Sequence, residues 1–187
     1  GETYNSIVDT DVTYDENGIP YIPAKRIRGC IREAGLEMLE FGLISQQEYE
    51  KVFGKEGNQN SAFSLSNAYI SDYEEVTEAL RKTPFTELKS QQNVLDQYTA
   101  TRTQTAVDLR TGVADKNSLR TIRVVRKGLT FEADCNWKPK VSKGDSEKAF
   151  RPEILGQAVS LVKHMGMSRT RGLGLVRMKL SDTAGER

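Results

Sequence analysis

The chain has 187 residues, the length of a single domain, and a formal net charge of +1, which argues against a uniformly basic nucleic-acid-binding protein. Its two cysteines, Cys30 and Cys135, have no metal-ligand spacing, and we expect them to be buried and reduced. No apolar run approaches the roughly 18 residues of a membrane span and no signal-peptide pattern is present, so we exclude a membrane protein and expect a cytoplasmic one.

The charges are distributed unevenly along the sequence. The first segment, Gly1–Pro23, holds five acidic residues and no basic one. Three basic stretches follow: four bases and no acid in Ala24–Arg32, seven bases and two acids in Thr99–Gly128, and five bases and no acid in Lys163–Lys179. If folding brings these stretches together, they form a groove for a polyanion.

The first predicted helix follows Pro23 and ends near Phe41. Its apolar residues are spaced four, three and four apart, as one helix face requires, at Ile27, Ile31, Ala34 and Met38. Lys25, Arg26 and Arg28 then fall in its first turn, where the helix dipole disfavours cations. An anion bound at the same helix end, by these cations and by free backbone N–H groups, would remove that conflict.

The middle of the chain is predicted to contain a loop, a strand, a helix and a hairpin. After a glycine-containing loop, a strand is expected near residues 62–70 and an acidic surface helix at about 72–80. Residues 83–100 are predicted to be a loop, within an insertion at about 71–100. A hairpin is expected at about 98–127, because two alternating segments flank the polar turn sequence DLRTGVADKNS.

A strand at 129–137, a helix from Pro152 to Gly166 and a glycine-containing turn into a last strand complete the predicted elements. His164 is expected in the last turn of that helix, in a structural role. If one strand is placed before Gly1, the order becomes β-α-β-β-α-β. The sequence therefore predicts an α+β fold with a ferredoxin-like (RRM-like) core, whose first strand is missing before residue 1, and an inserted β-hairpin.

Four segments occur in the order DTDVTYDENGIPYIPAKRIRGCIREA, VFG, TGVADKNSLR and SRTRGLGLV. Together they resemble the RAMP superfamily of CRISPR-associated RNA-binding proteins, and most closely the backbone-type subunits of type III effector complexes. The resemblance covers nearly the whole chain as one RAMP domain, 1–187. It implies an antiviral-defence protein that binds guide RNA (crRNA) and target RNA, with other CRISPR effector subunits or fused RAMP domains as partners. The hairpin would be a thumb that displaces bases, with Val113 and Leu119 as candidate wedges.

The resemblance also implies a catalytic aspartate in the loop before the first helix. Asp9 is the matching position, and Asp11 is the second candidate. The implied activity is that of an endonuclease which cuts target RNA with a divalent metal, Mg²⁺, held indirectly by Asp9. The alternative from the residues alone is an acidic solvated loop. Asp15 and Glu16 stand beside an Asn-Gly pair and are predicted to be turn residues.

The predicted RNA-binding residues are cations and glycines of the first helix and the glycine-rich turn: Lys25, Arg26, Arg28, Arg32, Arg169, Arg171, Gly172 and Gly174. The cations would bind phosphates, and the glycines would let the backbone approach the ligand closely. The alternatives are a solvated helix face and a tight turn that closes the last helix onto the last strand. Tyr4, Tyr14 and Tyr98 are further candidates for base stacking, and Trp137 is predicted to pack at a strand end.

Two other functions fit the same residues. The first is a non-catalytic structural subunit that binds crRNA and shields it. The second is a guide-processing endoribonuclease, which needs general acid–base groups that this chain, with His164 as its single histidine, mostly lacks.

Overall fold

A computed structural model describes residues 12–55, 61–104, 120–139, 151–166 and 172–181. The architecture is a mixture of helices and short antiparallel sheets. In chain order the elements are α1 Ala24–Glu40, α2 Gln46–Phe53, β1 Phe63–Leu65, β2 Tyr69–Ile70, α3 Tyr73–Lys82, α4 Gln91–Tyr98, β3 Thr99–Gln104, β4 Arg120–Val125, β5 Phe131–Glu132, β6 Cys135–Trp137 and α5 Pro152–Leu161. No helix within these ranges is long and apolar enough to cross a membrane.

The chain forms two compact units, and each unit is made of two segments of sequence. Unit 1 comprises Gly1–Ile22 and Ala68–Glu132, and unit 2 comprises Pro23–Asn67 and Ala133–Arg187. The strands predicted at 62–70 and 129–137 each run across a boundary between the units. Each is therefore two short strands: β1 pairs antiparallel with β6 in unit 2, and β2 with β5 in unit 1. Trp137 ends β6 opposite Phe63, which confirms its predicted place at a strand end.

The strands in the described residues form three two-stranded sheets. A four-stranded ferredoxin-like sheet is not seen within these residues. The mixed α/β architecture is confirmed, whereas the ferredoxin-like topology and the single RAMP domain stay predictions.

The helix predicted after Pro23 is confirmed as α1. The apolar positions spaced four, three and four apart are all buried, and Gly35 is buried beside them. A Cβ built on Gly35 would lie 2.6 Å from the ring of Phe53, so this close packing of α2 on α1 requires glycine. α5 packs along the same helix and buries Ile154, Leu155 and Ala158.

α2 was not predicted from the sequence, although its start carries a capping signal. The Ser45 Oγ accepts from the Glu48 N–H at 3.3 Å, and the Glu48 Oε2 accepts from the Ser45 N–H at 2.8 Å. This reciprocal pair is a capping box, whose sequence signature is S-x-x-E. The Arg151 Nη1 also donates to the Glu48 Oε1 at 2.7 Å, which joins α2 to the start of α5.

We expect Glu48 to give the protein a specific acid sensitivity. The hydrogen bond from the Ser45 backbone, followed by that from Arg151, holds the pKa of Glu48 at about 2, below its ordinary value of 4.5. A carboxyl group whose pKa is lowered by folding stabilises the protein above its unfolded pKa, and this stabilisation is lost as the pH falls through the folded pKa. Between about pH 4.5 and 2, the free energy of unfolding of Glu48→Gln should therefore decline less steeply than that of wild type.

Urea unfolding across this pH range measures the effect. Glu40→Gln, at the exposed end of α1, is the control and should follow the wild-type curve. Identical pH profiles for Glu48→Gln and wild type would contradict the prediction.

Unit 1 has a small apolar core. Its buried members are Ile19, Ile70 and Val94, and Tyr98 packs against them, so this tyrosine serves the core. The acidic surface helix predicted at 72–80 is confirmed as α3. The loop predicted at 83–100 is wrong in its second half, because Ser90 caps a helix there, α4, by accepting from the Asn93 N–H at 3.3 Å.

The predicted hairpin is confirmed as β3 and β4. These strands pair antiparallel in unbroken register, from Thr99 opposite Val125 to Gln104 opposite Arg120. The tip between them, with the candidate wedges Val113 and Leu119, lies outside the described residues.

The end of the chain requires two corrections. α5 ends at Leu161, earlier than predicted, so His164 is not in a helical turn and instead forms a β-bridge with Leu175. The predicted last strand is limited to this bridge within residues 172–181. The physical reason is that backbone hydrogen bonds to the glycine-rich segment replace the continuation of the helix.

The two cysteines form no disulfide and are only partly buried. Cys30 lies on α1 and Cys135 begins β6, and both have intermediate exposure, so the prediction of full burial was wrong. Burial nevertheless raises the pKa of the Cys135 thiol.

Candidate nucleic-acid interface

The N-terminus of α1 presents positive charge that no acid of the same helical turn offsets. Pro23 occupies the N-cap and makes no side-chain capping hydrogen bond, and the first turn contains no acidic residue. Lys25 and Arg26 are exposed in this turn, where the positive end of the helix dipole repels their charges. A bound anion would stabilise this arrangement.

Most backbone N–H groups at this helix end already have acceptors. The Ala24 N–H donates to the Asn67 Oδ1 at 2.9 Å, and the Arg26 N–H donates to the Pro23 carbonyl at 2.9 Å. Among the described residues, no acceptor is found for the Lys25 N–H. The prediction of several free N–H groups was therefore too broad, and side-chain cations must supply most of any anion binding.

An open groove of about 520 Å³ lies beside this helix end. Its lining comprises one face of α1 and one residue that follows α5: Pro23, Lys25, Arg26, Gly29, Cys30, Glu33 and Gly166. Gly29, Cys30 and Glu33 were not predicted as part of this site. They follow Arg26 by three, four and seven residues, which places them on the same face of α1 as Arg26. The groove offers two cations, one carboxylate and a stretch of backbone that Gly29 leaves uncovered.

The other two predicted cations of α1 do not line this groove. Successive helical residues are about 100° apart, so Arg28 lies about 160° around the helix from Arg26. The Arg32 Nη1 donates to the carbonyl of Phe53 at 2.7 Å, which places this cation at the C-terminus of α2. The Arg28 Nε is buried and has no hydrogen-bond partner among the described residues. The structure therefore divides the predicted cation cluster into two pairs.

The glycine-rich turn is fixed to the segment that follows α5. The Met165 N–H donates to the Gly174 carbonyl at 2.8 Å, and Gly174 has φ +71°. A Cβ on Gly174 would run into the Met165 carbonyl oxygen, whereas Gly172, with φ +74°, has no atom of the described residues near its Cβ position. Gly174 is thus required by the fold, and Gly172 is open to a ligand. Because Met165 precedes Gly166, this turn also supports one side of the groove.

Asp15 is a turn residue, as predicted. Its Oδ1 accepts from the N–H groups of Asn17 at 2.9 Å and Ile19 at 2.8 Å, and its Oδ2 accepts from the Tyr73 hydroxyl at 2.8 Å. Burial, together with this contact, raises the pKa of Tyr73 to about 12, so the phenol remains protonated at neutral pH. Both oxygens of Asp15 serve the fold, which separates it from the predicted catalytic aspartates.

Several predicted site residues lie outside the described residues: Asp9, Asp11, Arg169, Arg171 and Tyr4. Within the described ranges, no group of three or more His, Cys, Asp or Glu side chains is placed to hold a metal ion. The predicted Mg²⁺ site depends on Asp9, so it too lies outside these ranges and stays a prediction.

Comparison with known proteins gives a family match and similar folds. The model of the RAMP superfamily matches residues 5–177. One chain in a cryo-EM structure of the Type III-B Cmr-beta bound to cognate target RNA has a TM-score of 0.63 at 14% identity, covering 96% of this chain and 90% of that chain. A chain of Type III-B Cmr-beta in the apo state has a TM-score of 0.58 at 13% identity, with 92% and 88% covered. No curated protein sequence gives a significant match.

Proposed function

This chain belongs to the RAMP superfamily, and from that premise we propose that it binds guide RNA (crRNA) as a subunit of a type III CRISPR effector complex. The observation that carries the proposal is the groove at the N-terminus of α1, where Lys25 and Arg26 stand without an acid in their helical turn. The similar fold of a Cmr-beta chain whose structure contains target RNA supports RNA as the ligand. Target RNA and other effector subunits are the further proposed partners, and a ferredoxin-like core is the proposed topology.

The groove suits the backbone of an RNA strand. Lys25 and Arg26 would bind phosphate oxygens, and Gly29 would let the strand approach the helix backbone closely. The Glu33 carboxylate repels phosphate but accepts hydrogen bonds from ribose hydroxyls. Because phosphate contacts carry no sequence information, specificity would come from base pairing between the guide and its target.

We expect the salt dependence of guide binding to identify the phosphate contacts. Each phosphate contact on a single strand contributes a slope of about −0.7 to a plot of log affinity against log salt concentration. Loss of two contacts in the double variant Lys25→Ala, Arg26→Ala should therefore flatten the slope by about 1.4. The measurement is a titration of the purified chain with single-stranded guide RNA at several salt concentrations.

The control double variant, Lys55→Ala with Lys82→Ala, removes the same charge from two exposed lysines that form ion pairs with Glu50 and Glu78. Its slope should match wild type. If both double variants flatten the slope equally, net charge governs binding and the groove is not the site.

We propose further that the complex cleaves target RNA through Asp9, with Mg²⁺ as cofactor and Asp11 as the second candidate. The proposal is supported by the match of Asp9 to the aspartate that the resemblance implies and by the commitment of Asp15, the first acid after Asp9 and Asp11, to turn contacts. The non-catalytic structural subunit remains the competing function. The two functions differ only in whether Asp9 is needed for cleavage.

A further inference from the structure

The hairpin of β3 and β4 leaves α4 without an intervening loop. Tyr98 is the last residue of α4, and Thr99 is the first residue of β3. The Arg126 N–H donates to the Tyr98 carbonyl at 2.9 Å, and side-chain contacts at this junction hold the hairpin further.

One arginine of β4 makes two of the side-chain hydrogen bonds around this junction. The Arg123 side chain is only 8% exposed, and its Nη1 donates to the Asp96 Oδ1 at 2.7 Å and to the Thr99 Oγ1 at 3.1 Å. Thr99 is itself buried, and its hydroxyl donates to the Leu95 carbonyl at 2.6 Å. The Arg126 Nη2 adds a hydrogen bond to the Asp96 carbonyl at 3.1 Å. Three of these four hydrogen bonds join α4 to the hairpin or to the residue that follows β4, and the fourth, from Arg123 to Thr99, lies within the hairpin.

This ion pair differs from an ordinary surface pair in the burial of its cation only, because Asp96 is 52% exposed. The pair between Glu78 and Lys82 on α3 is equally short, at 2.6 Å, but its side chains are 55% and 73% exposed. Exposed pairs contribute little to stability, whereas loss of the partner of a buried charge is costly. Hydrogen bonds from Gln92 and from Arg123 lower the pKa of Asp96.

We propose that Asp96 and Arg123 are positioning residues that hold the hairpin in one direction relative to α4, so that it displaces one defined base of the bound guide. This inference rests on the proposed function, guide-RNA binding, and on the resemblance to RAMP proteins, which implies that the hairpin acts as a thumb. The ion pair would not touch the RNA. It would act through the strands that it fixes.

The first measurement is hydrogen exchange of the free chain. In Asp96→Ala the amides of β3 and β4 should exchange on the order of tenfold faster, because the junction opens more often when the buried guanidinium loses its acid. Glu78→Ala, which breaks the exposed pair by the same substitution, should leave these amides unchanged. Equal protection of the hairpin in Asp96→Ala and wild type would overturn the proposal.

The second measurement is chemical probing of guide RNA in the assembled complex. Wild type and Glu78→Ala should show one reactive, displaced base for each copy of the hairpin. In Asp96→Ala this reactivity should spread to neighbouring bases, while guide affinity stays unchanged. Arg123→Lys keeps the positive charge but lacks the forked guanidinium, so it should give an intermediate pattern.

The outcomes separate this inference from the proposed function. Faster exchange with an unchanged displaced base would show that the ion pair stabilises the hairpin without positioning it, and would overturn the inference. If wild type shows no displaced base, the hairpin does not act as a thumb, and the positioning role is refuted with it. The exchange data would still show whether the ion pair fixes the junction. Failure of guide binding itself would contradict the proposed function.

Discussion

Replacing Asp9 with alanine is expected to abolish cleavage of a guide-complementary RNA by the assembled complex while leaving guide and target binding unchanged. A positioned carboxylate that accepts a proton or orients a hydrated metal ion contributes about 10²–10⁴-fold to the rate. The rate at saturating target should therefore fall by about that factor in the presence of Mg²⁺. Gel analysis of the cleavage products measures the rate, and a filter-binding titration measures affinity in parallel.

Glu16→Gln is the matched control for Asp9→Ala. Glu16 belongs to the same acidic segment, is exposed and lies at a turn, so its loss removes one negative charge without a role in the chemistry. Its cleavage rate should equal that of wild type. Full cleavage by Asp9→Ala would transfer the proposed role to Asp11 if Asp11→Ala is inactive. If neither aspartate matters, the chain is a structural subunit.

Helices were predictable where apolar spacing alone determines them. α1 and α5 each bury a periodic row of aliphatic residues, and both were predicted. α2 and α4 are only eight residues long and bury few side chains, so their strongest signals are the N-caps Ser45 and Ser90. A search for capping residues would have found both helices.

Strand partners outside the hairpin were not predictable, because they depend on residues far apart in the sequence. The apolar run at 62–70 gives no local sign that β1 and β2 belong to different units. The same limit applies to the candidate site. The basic first turn of α1 was predicted, but helix geometry turns Arg28 away from it, and the carbonyl of Phe53 holds Arg32 elsewhere. Gly166 joins the groove only through the packing of α5 on α1.

The glycine-rich turn contributes to the fold and is proposed to approach RNA, and alanine variants of its two glycines can separate these roles. Gly172 and Gly174 have nearly the same backbone conformation, with φ +74° and +71°, so alanine at either position carries the same left-handed cost of about 1–2 kcal/mol. Only at Gly174 would the added Cβ meet a backbone atom, the Met165 carbonyl oxygen. That oxygen cannot move freely, because the neighbouring Met165 N–H and Lys163 carbonyl are hydrogen-bonded to Gly174 and Val176 at 2.8 Å.

We therefore expect Gly174→Ala to lower the free energy of unfolding by about 2–5 kcal/mol. This loss is the sum of the left-handed cost of about 1–2 kcal/mol and an overpacking cost of about 1–3 kcal/mol. Gly172→Ala should lose only about 1–2 kcal/mol and remain folded. Urea unfolding gives these values, and guide-RNA titration of the folded variants gives the second comparison. If the backbone at Gly172 approaches RNA, Gly172→Ala should bind guide RNA more weakly than wild type although it is folded. Equal losses of stability at the two glycines would contradict the close contact with Met165, and unchanged affinity in Gly172→Ala would assign the turn to the fold alone.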